Sequence, residues 1–417
     1  MIVRPFRGLR PRADLAQAIA SPPYDVLDSE EARALAKGNP DSFLHVIKPE
    51  IDLDPDIDVY DERVYSTGAD NLKAMIEDGR MVRDESPAFY IYRLVMEQRT
   101  QTGIVGAAAV QDYLDDQIKK HEFTRPDKEK DRIRLNDALD ATPGPIFLTY
   151  RPLPELNAVV NGQVDRKPDV DFVAPDGVSH TLWKVDDAAV CRKIENLFTG
   201  IRATYVADGH HRSAAAVKLS EQRAARIEAP RGDEPIFYFM AVHFPSDQLH
   251  VLDYNRVVAD LNGLDPEVLV ERIEVAGFHV KPDWRTRKPQ HRGSFGMYVN
   301  GAWSLLTAKP EIIPEKDVVG RLDVSILTSR LLQPILGIGD PRTDKRIDFV
   351  GGIRGMDELE RRVDSGREAI AFSLWPTALD EVMSVADAGL VMPPKSTWFE
   401  PKLRSGLVVQ LLGGERL

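Results

Sequence analysis

The chain has a single cysteine, Cys191, in 417 residues. That excludes a disulfide framework and any zinc or iron–sulfur site built from several cysteines, and it fits a reducing compartment. Long apolar runs are missing too. The stretch Ile104 to Val110 falls far short of the ~20 residues that a membrane helix needs. The opening Met1-Ile2-Val3-Arg4-Pro5-Phe6-Arg7 lacks the apolar core of a signal peptide. A cytoplasmic protein without a membrane partner is expected. Basic charge is in deficit, with 54 Lys and Arg against 66 Asp and Glu and a net charge of −12. Nucleic-acid backbones are bound by dense basic surfaces, so no nucleic-acid partner is expected. A small basic pocket could still hold a small anion such as a nucleotide. The motifs Gly-x-x-x-x-Gly-Lys-Ser/Thr, Gly-x-Gly-x-x-Gly and Gly-x-Ser-x-Gly are absent, which removes the main support for P-loop, Rossmann and α/β-hydrolase readings.

What is present is ordinary in bulk, 43% hydrophobic and 29% charged, and long enough for two or three domains. Asp28-Ser29-Glu30-Glu31 predicts a capped helix through Lys37, stopped at Gly38. Seven acids between Glu50 and Glu62 read as a solvated loop, since Ile57 stands where a calcium loop needs glycine. Strands are predicted over Ala88–Met96, Gly103–Gln111, Pro143–Tyr150, Thr204–Ala207 and Ile236–Phe244, with a hairpin around Pro175-Asp176-Gly177. The alternation with helices predicts a mixed α/β (α+β) layered fold. The texture shifts near residue 255, which predicts one domain over residues 1–255 and an α+β domain over residues 256–417. In the latter, Lys281–Arg292 reads as an exposed basic hairpin tip, 296–306 as a hairpin, and Val324–Leu336 as an apolar helix closed by Gly337 and Gly339. The tail from Met392 to Lys402 is expected to pack back on the body.

The strongest local signal is the strand Thr204–Ala207 running into Asp208-Gly209-His210-His211-Arg212 and an alanine-rich helix to about Ile227. A helix N-terminus reached through a glycine turn points unpaired N–H groups and a positive dipole end at one spot, which suits phosphate. Gly209 allows close backbone approach. Arg212 can fork onto phosphate oxygens, and either histidine can donate to them. Asp208 suits a magnesium ligand or the acceptor of a hydroxyl proton. Two other readings stay open: zinc on His210 and His211, and a structural turn capped by Asp208.

A second constellation is His121-Glu122-Phe123-Thr124-Arg125-Pro126, opening a charged helix to about Leu139. Thr124 with Asp127 resembles a capping box, and Pro126 fits a first helical turn. His121 and Glu122 then stand just before a helix N-terminus, where a base could be aimed at a pocket; an incidental pair on a solvated loop is the alternative. Tyr24 and Asp25 after Pro22-Pro23, and Lys395, Ser396 and Lys402 after Pro393-Pro394, lie on stiff loops able to present polar groups.

The box Gly209-His210-His211-Arg212, followed by Ser213-Ala214-Ala215-Ala216, resembles the phosphate-binding box of the ParB/sulfiredoxin superfamily, above all its free-serine kinases, which carry Asp-Gly-His-x-Arg. Over nearly its whole length the chain also resembles a widespread bacterial and archaeal family labelled a domain of unknown function. That pattern comprises Pro22-Pro23-Tyr24-Asp25-Val26, His121-Glu122-x-Thr124, the 208–212 box and Met392-Pro393-Pro394-Lys395-Ser396-Thr397-x-Phe399-x-Pro401-Lys402. The resemblance implies a ParB/sulfiredoxin-like core with large additions on both sides. It implies an enzyme, a magnesium-dependent kinase using ATP or ADP on free L-serine. Gly209, His210, His211, Arg212 and Ser213 would bind phosphate, Asp208 the metal, and Glu122 would be the base, with Asp25 in reserve. Tyr24, Asp25, His121, Thr124, Lys395 and Lys402 would border the substrate. The alternative is a ParB-like module that binds nucleotide to regulate partners without kinase activity. The oligomeric state is left open, a homodimer included.

Overall fold

Apolar residues fill Ala88–Gln111 on both sides of Glu97-Gln98. In the computed structural model, which describes residues 1–414 and 417, this stretch is a hairpin. Strand β2 (Phe89–Met96) turns at Glu97, φ 55°, into β3 (Arg99–Ala109). From Gln101 to Ala109 every residue of β3 is buried, as a strand covered on both faces must be. The chain divides into two units, Met1–Leu249 with Pro401–Leu417, and His250–Glu400. The difference from a single break near residue 255 is the return of the last residues to the first unit. The fold is mixed α/β.

In the first unit, β1 (Val3–Arg4), β2, β3, β4 (Ile118–Lys119), β5 (Ile146–Tyr150), β6 (Val170–Val173), β7 (Ser179–Val185), β8 (Thr204–Asp208) and β9 (Tyr238–Pro245) form one nine-stranded sheet. Its order is β4-β8-β5-β9-β3-β2-β7-β6, with β1 also on β3. The β4–β8 and β5–β9 pairs are parallel and the others antiparallel. The helices Pro154–Val164 and Ala188–Thr199 bury Leu156, Ile194 and Phe198 against Ile91, Ile146 and Leu148. Each of these side chains contributes about 1.5–3 kcal/mol by leaving water. A further cluster joins Leu135, on the helix Pro126–Leu139, to Leu72, Phe43 and Val409. The helix Ser29–Ala36 has the capping box, Asp28 with Glu31. The acidic stretch behind it is less solvated than its charge suggests. Glu50 is buried and bonded to Ser29 and Lys48, and Asp61 caps the helix Glu62–Glu77.

The second unit is built on an antiparallel six-stranded sheet. Its strands are β10 (Tyr254–Val258), β11 (Phe278–Lys281), β12 (Ser294–Val299), β13 (Ala302–Ala308), β14 (Ile347–Gly351) and β15 (Ile370–Leu374), ordered β11-β13-β12-β15-β10-β14. Asn300-Gly301, at φ 50° and 74°, forms the tight turn between β12 and β13, as two-residue hairpins require. Two expectations are corrected here. The 324–336 segment is not one α-helix: Asp323–Leu327 widens into a π-helix over Thr328–Leu332. The Thr328 hydroxyl donates to the Val324 carbonyl, and the Gln333 amide reaches back five residues to Thr328. The 281–292 loop is largely exposed, as expected, but is not a hairpin tip. It joins β11 to β12, which β13 separates in the sheet. Arg287 pairs with Asp357 and Glu360, and Lys288 with the buried Asp253. Lys395 lies in this unit, its ammonium 5.6 Å from the centre of the Tyr254 ring and its carbonyl accepting from Arg256.

Candidate functional site

Strands β4 and β8 run parallel with Ile118 opposite Thr204 and Lys119 opposite Tyr205, an offset of 86 residues. Past the strand ends the ladder is interrupted, since β8 bulges between Val206 and Asp208, yet the two segments stay together. The Arg125 amide donates to Nε2 of His211 at 3.0 Å, and the Glu122 carboxylate lies 3.7 Å from Nδ1 of His210. Two segments distant in sequence are thus delivered to one edge of the sheet. Gly209, at φ 95°, makes the sharp passage from β8 into the helix His210–Ala224. A Cβ there would stand 3.1 Å from Nε of Arg212. The first intrahelical bond runs from the Ser213 amide to the Gly209 carbonyl. The amides of His210, His211 and Arg212 therefore precede the ladder, and no side chain caps them.

Arg212 is 7% exposed. It donates to the Pro145 carbonyl and, at 3.2 Å, to Asp208, and it lies 3.6 Å from Asp25. Its Nε is buried without a hydrogen-bond partner. The carboxylate of Asp208 also faces the ammonium of Lys402 at 3.6 Å. Burial opposes its ionisation, but Lys402, Arg212 and the Gly209 amide prevail and hold it well below the usual carboxylate range. Lys402 is placed by Arg404, whose amide donates to the Tyr92 hydroxyl and whose Nε donates to Nε2 of His180. Asp176 completes the anchor of Arg404. Burial, then Arg404, pushes His180 down to about 3, so its Nε2 can accept that bond, and its Nδ1 lies 2.7 Å from the Tyr92 hydroxyl.

His121 and His210 meet edge to face, ring centres 4.5 Å apart. Both nitrogens of His121 and Nε2 of His210 are buried without hydrogen-bond partners. Burial pushes His121 down to about 4, and burial reinforced by His121 holds His210 well below its ordinary value. Both are neutral at pH 7 and cannot act as phosphate-binding cations. Nδ1 of His210 lies 3.7 Å from the half-exposed Glu122 carboxylate, too far for a hydrogen bond.

The structure therefore gathers Asp25, His121, Glu122, Asp208, Gly209, His210, His211, Arg212 and Lys402 at the ends of β4 and β8. Ser213 is placed differently: it is wholly buried, and its hydroxyl donates to the His210 carbonyl. Thr124 is not a cap, a correction to the expected box with Asp127. Its hydroxyl donates to Glu129, a buried acceptor one turn further on, and Asp127 instead pairs with Arg125. The ring of Tyr24 lies under the Arg132 guanidinium at 4.0 Å. Sequence reasoning missed Arg132, which nothing in the local pattern distinguishes on a highly charged helix, and the Pro145 carbonyl. Zinc on the two histidines is not supported, because His210 faces His121 and Glu122 while His211 accepts from Arg125. Among the described residues no three His, Cys, Asp or Glu side chains could hold a metal ion.

Among the described residues no helix is long and apolar enough to cross a membrane. A family model described as "Protein of unknown function (DUF1015)" matches residues 3–325. No curated protein matches the sequence. Solved structures similar to this chain include a free serine kinase variant in complex with AMP, at 16% identity, covering 68% of this chain and 84% of that one with a TM-score of 0.35. A conserved hypothetical protein from Pyrococcus furiosus matches at 17% identity, 71% and 93% coverage and TM-score 0.34. SbnI with C-terminal truncation from Staphylococcus aureus matches at 14% identity, 74% and 87% coverage and TM-score 0.38.

Proposed function

The chain belongs to the DUF1015 family, and we propose that it is a magnesium-dependent phosphotransferase that moves a nucleotide phosphate to the hydroxyl of a small metabolite, free L-serine being the first acceptor to test. The observation that carries this reading is the pairing of Asp208 with both Arg212 and Lys402 at an uncapped helix N-terminus, with the Glu122 carboxylate 3.7 Å from His210 of the same box. The 204–224 strand–turn–helix is read as the phosphate-binding element of a ParB/sulfiredoxin-like core, in line with the resemblance of its motif to that of the free-serine kinases.

In this proposal the donor phosphates of ATP or ADP lie over the amides of residues 210–212, with Lys402 and Arg212 neutralising their charge. A magnesium ion carried on those phosphates would be held by Asp208, where it would offset phosphate charge. Glu122 is the base. It stands 3.7 Å from the neutral His210, where it would take the hydroxyl proton. The acceptor oxygen forms a bond to phosphorus as the bond from phosphorus to the nucleotide oxygen breaks. The leaving nucleotide keeps that electron pair, and the hydroxyl proton passes to Glu122.

Two variants test this. Arg212→Ala should lower transfer by about 10²–10³-fold, as loss of a charge-stabilising donor does. Glu122→Gln should abolish transfer while ADP still binds, read by steady-state product formation and by calorimetric titration with ADP. Wild-type turnover in Glu122→Gln would overturn the assignment of the base.

A further inference from the structure

Beside Arg212 the first unit encloses a cavity that the proposed phosphate site leaves unused. Tyr24, Arg132, Asn136, Thr142, Arg212 and Ser405 supply its polar wall, and its lining includes two arginines and no carboxylate. Asn136 is 5% exposed. The Nε of Arg212 is buried without a hydrogen-bond partner. A buried guanidinium nitrogen without a partner is costly. Such a donor on a polar cavity wall marks a seat for a polar ligand.

The charges around it narrow the ligand. The Arg132 guanidinium is held by Asp131 through Nε and Nη2, and Arg212 is shared by Asp208 and Asp25. Each arginine is thus partly neutralised, so the wall suits one negative charge better than two. A guanidinium edge matches a carboxylate in plane. The Asn136 amide and the hydroxyls of Thr142 and Ser405 can both donate and accept, which suits a neighbouring hydroxyl or ammonium group.

We propose that this cavity is the acceptor's seat and takes a small hydroxy-carboxylate, its carboxylate on Nε of Arg212 with the Arg132 guanidinium alongside as positive charge, and its remaining polar groups on Asn136, Thr142 and Ser405. The assignment rests on the phosphotransferase reading, because Arg212 borders both the cavity and Asp208. Carboxylate recognition would then select among alcohols: a hydroxyl without a carboxylate two or three bonds away has nothing to hold it there.

The test is ligand-observed NMR and calorimetry on the full chain, with and without ADP, using L-serine, glycolate, ethanolamine and inorganic phosphate as probes. L-serine and glycolate should bind, and ethanolamine, which keeps the hydroxyl and amine of serine but lacks the carboxylate, should not. Asn136→Ala and Ser405→Ala, checked for unchanged melting, should each weaken L-serine about tenfold, the loss of roughly one hydrogen bond, with ADP affinity unchanged. Binding of ethanolamine as tight as that of L-serine, preference for phosphate over carboxylate, or L-serine affinity unaltered in both variants would overturn the cavity assignment. If ADP fails to bind while L-serine binds and the variants lose it, the phosphotransferase reading fails and the cavity assignment stands.

Discussion

In the first unit burial holds histidines in their neutral form; in the second it does the same to a carboxyl. Burial pushes His121 down to about 4 and both His180 and His243 down to about 3. Burial also pushes Asp323 up to about 7, with Glu381 adding to the rise and the Gly293 amide opposing it. The cause is the same, but the consequence for stability has opposite sign. Below about pH 6.5 the unfolded histidines take up protons that the folded ones refuse, so the first unit loses stability as pH falls through 6.5 toward 4. Asp208, held ionised by Lys402 and Arg212, adds to that loss in stronger acid. In the second unit the folded Asp323 keeps a proton that the unfolded chain releases near pH 4, so stability falls as pH rises from about 4 to 7. Low dielectric penalises whichever form is charged, and the residue type decides which side of neutrality is affected.

The arginines differ in the same way. Arg362 in the second unit is closed off, with Nε and Nη2 donating to the buried Glu368 and Nη2 also to Asp348. Arg212 in the first unit keeps a buried donor without a partner. One guanidinium is spent on fixed carboxylates, although Oε2 of Glu368 stays buried without a partner, and the other keeps a buried donor of its own.

The largest effect expected from breaking this contrast is on the closed side. Arg362→Ala leaves the buried Glu368 with only the exposed Arg367, 3.3 Å away, and should destabilise residues 250–400 by roughly 3–5 kcal/mol, read by hydrogen exchange across that segment. Next comes the pH response. Moving from pH 7.5 to 5 should lower the melting of the first unit and raise that of the second, resolved by calorimetry. Asp323→Asn should flatten the second unit's response and leave the first unit's intact. The smallest effect sharpens the site's frame: Thr124→Ala, which removes the donor to Glu129, should cost about 1 kcal/mol, measured by urea unfolding, and loosen the loop that carries Glu122.

Contacts decided by near neighbours were legible in the sequence. The Asp28–Glu31 capping box, the turns at Asp176-Gly177 and Asn300-Gly301, and the passage from β8 through Gly209 into a helix all follow from residue types at fixed short spacing. What depends on sheet order was not. Nothing near Lys402 or Asp208 in the chain announces their ion pair, because it requires the last residues to return to the first unit. The approach of Glu122 to His210 requires β4 to lie beside β8. Thr124 shows the limit from the other side. Its spacing to Asp127 satisfies the capping pattern, yet the buried Glu129 is the better acceptor in the folded chain and takes the hydroxyl.

Phosphorus NMR of the purified full chain with Mg²⁺, ATP or ADP, and a panel of free amino acids tests the central claim most directly. The account predicts a phosphoserine resonance that grows with time and vanishes in Glu122→Gln. Nucleotide that binds and remains unconverted against every acceptor in the panel would contradict it, and would favour a nucleotide-dependent switch over a phosphotransferase.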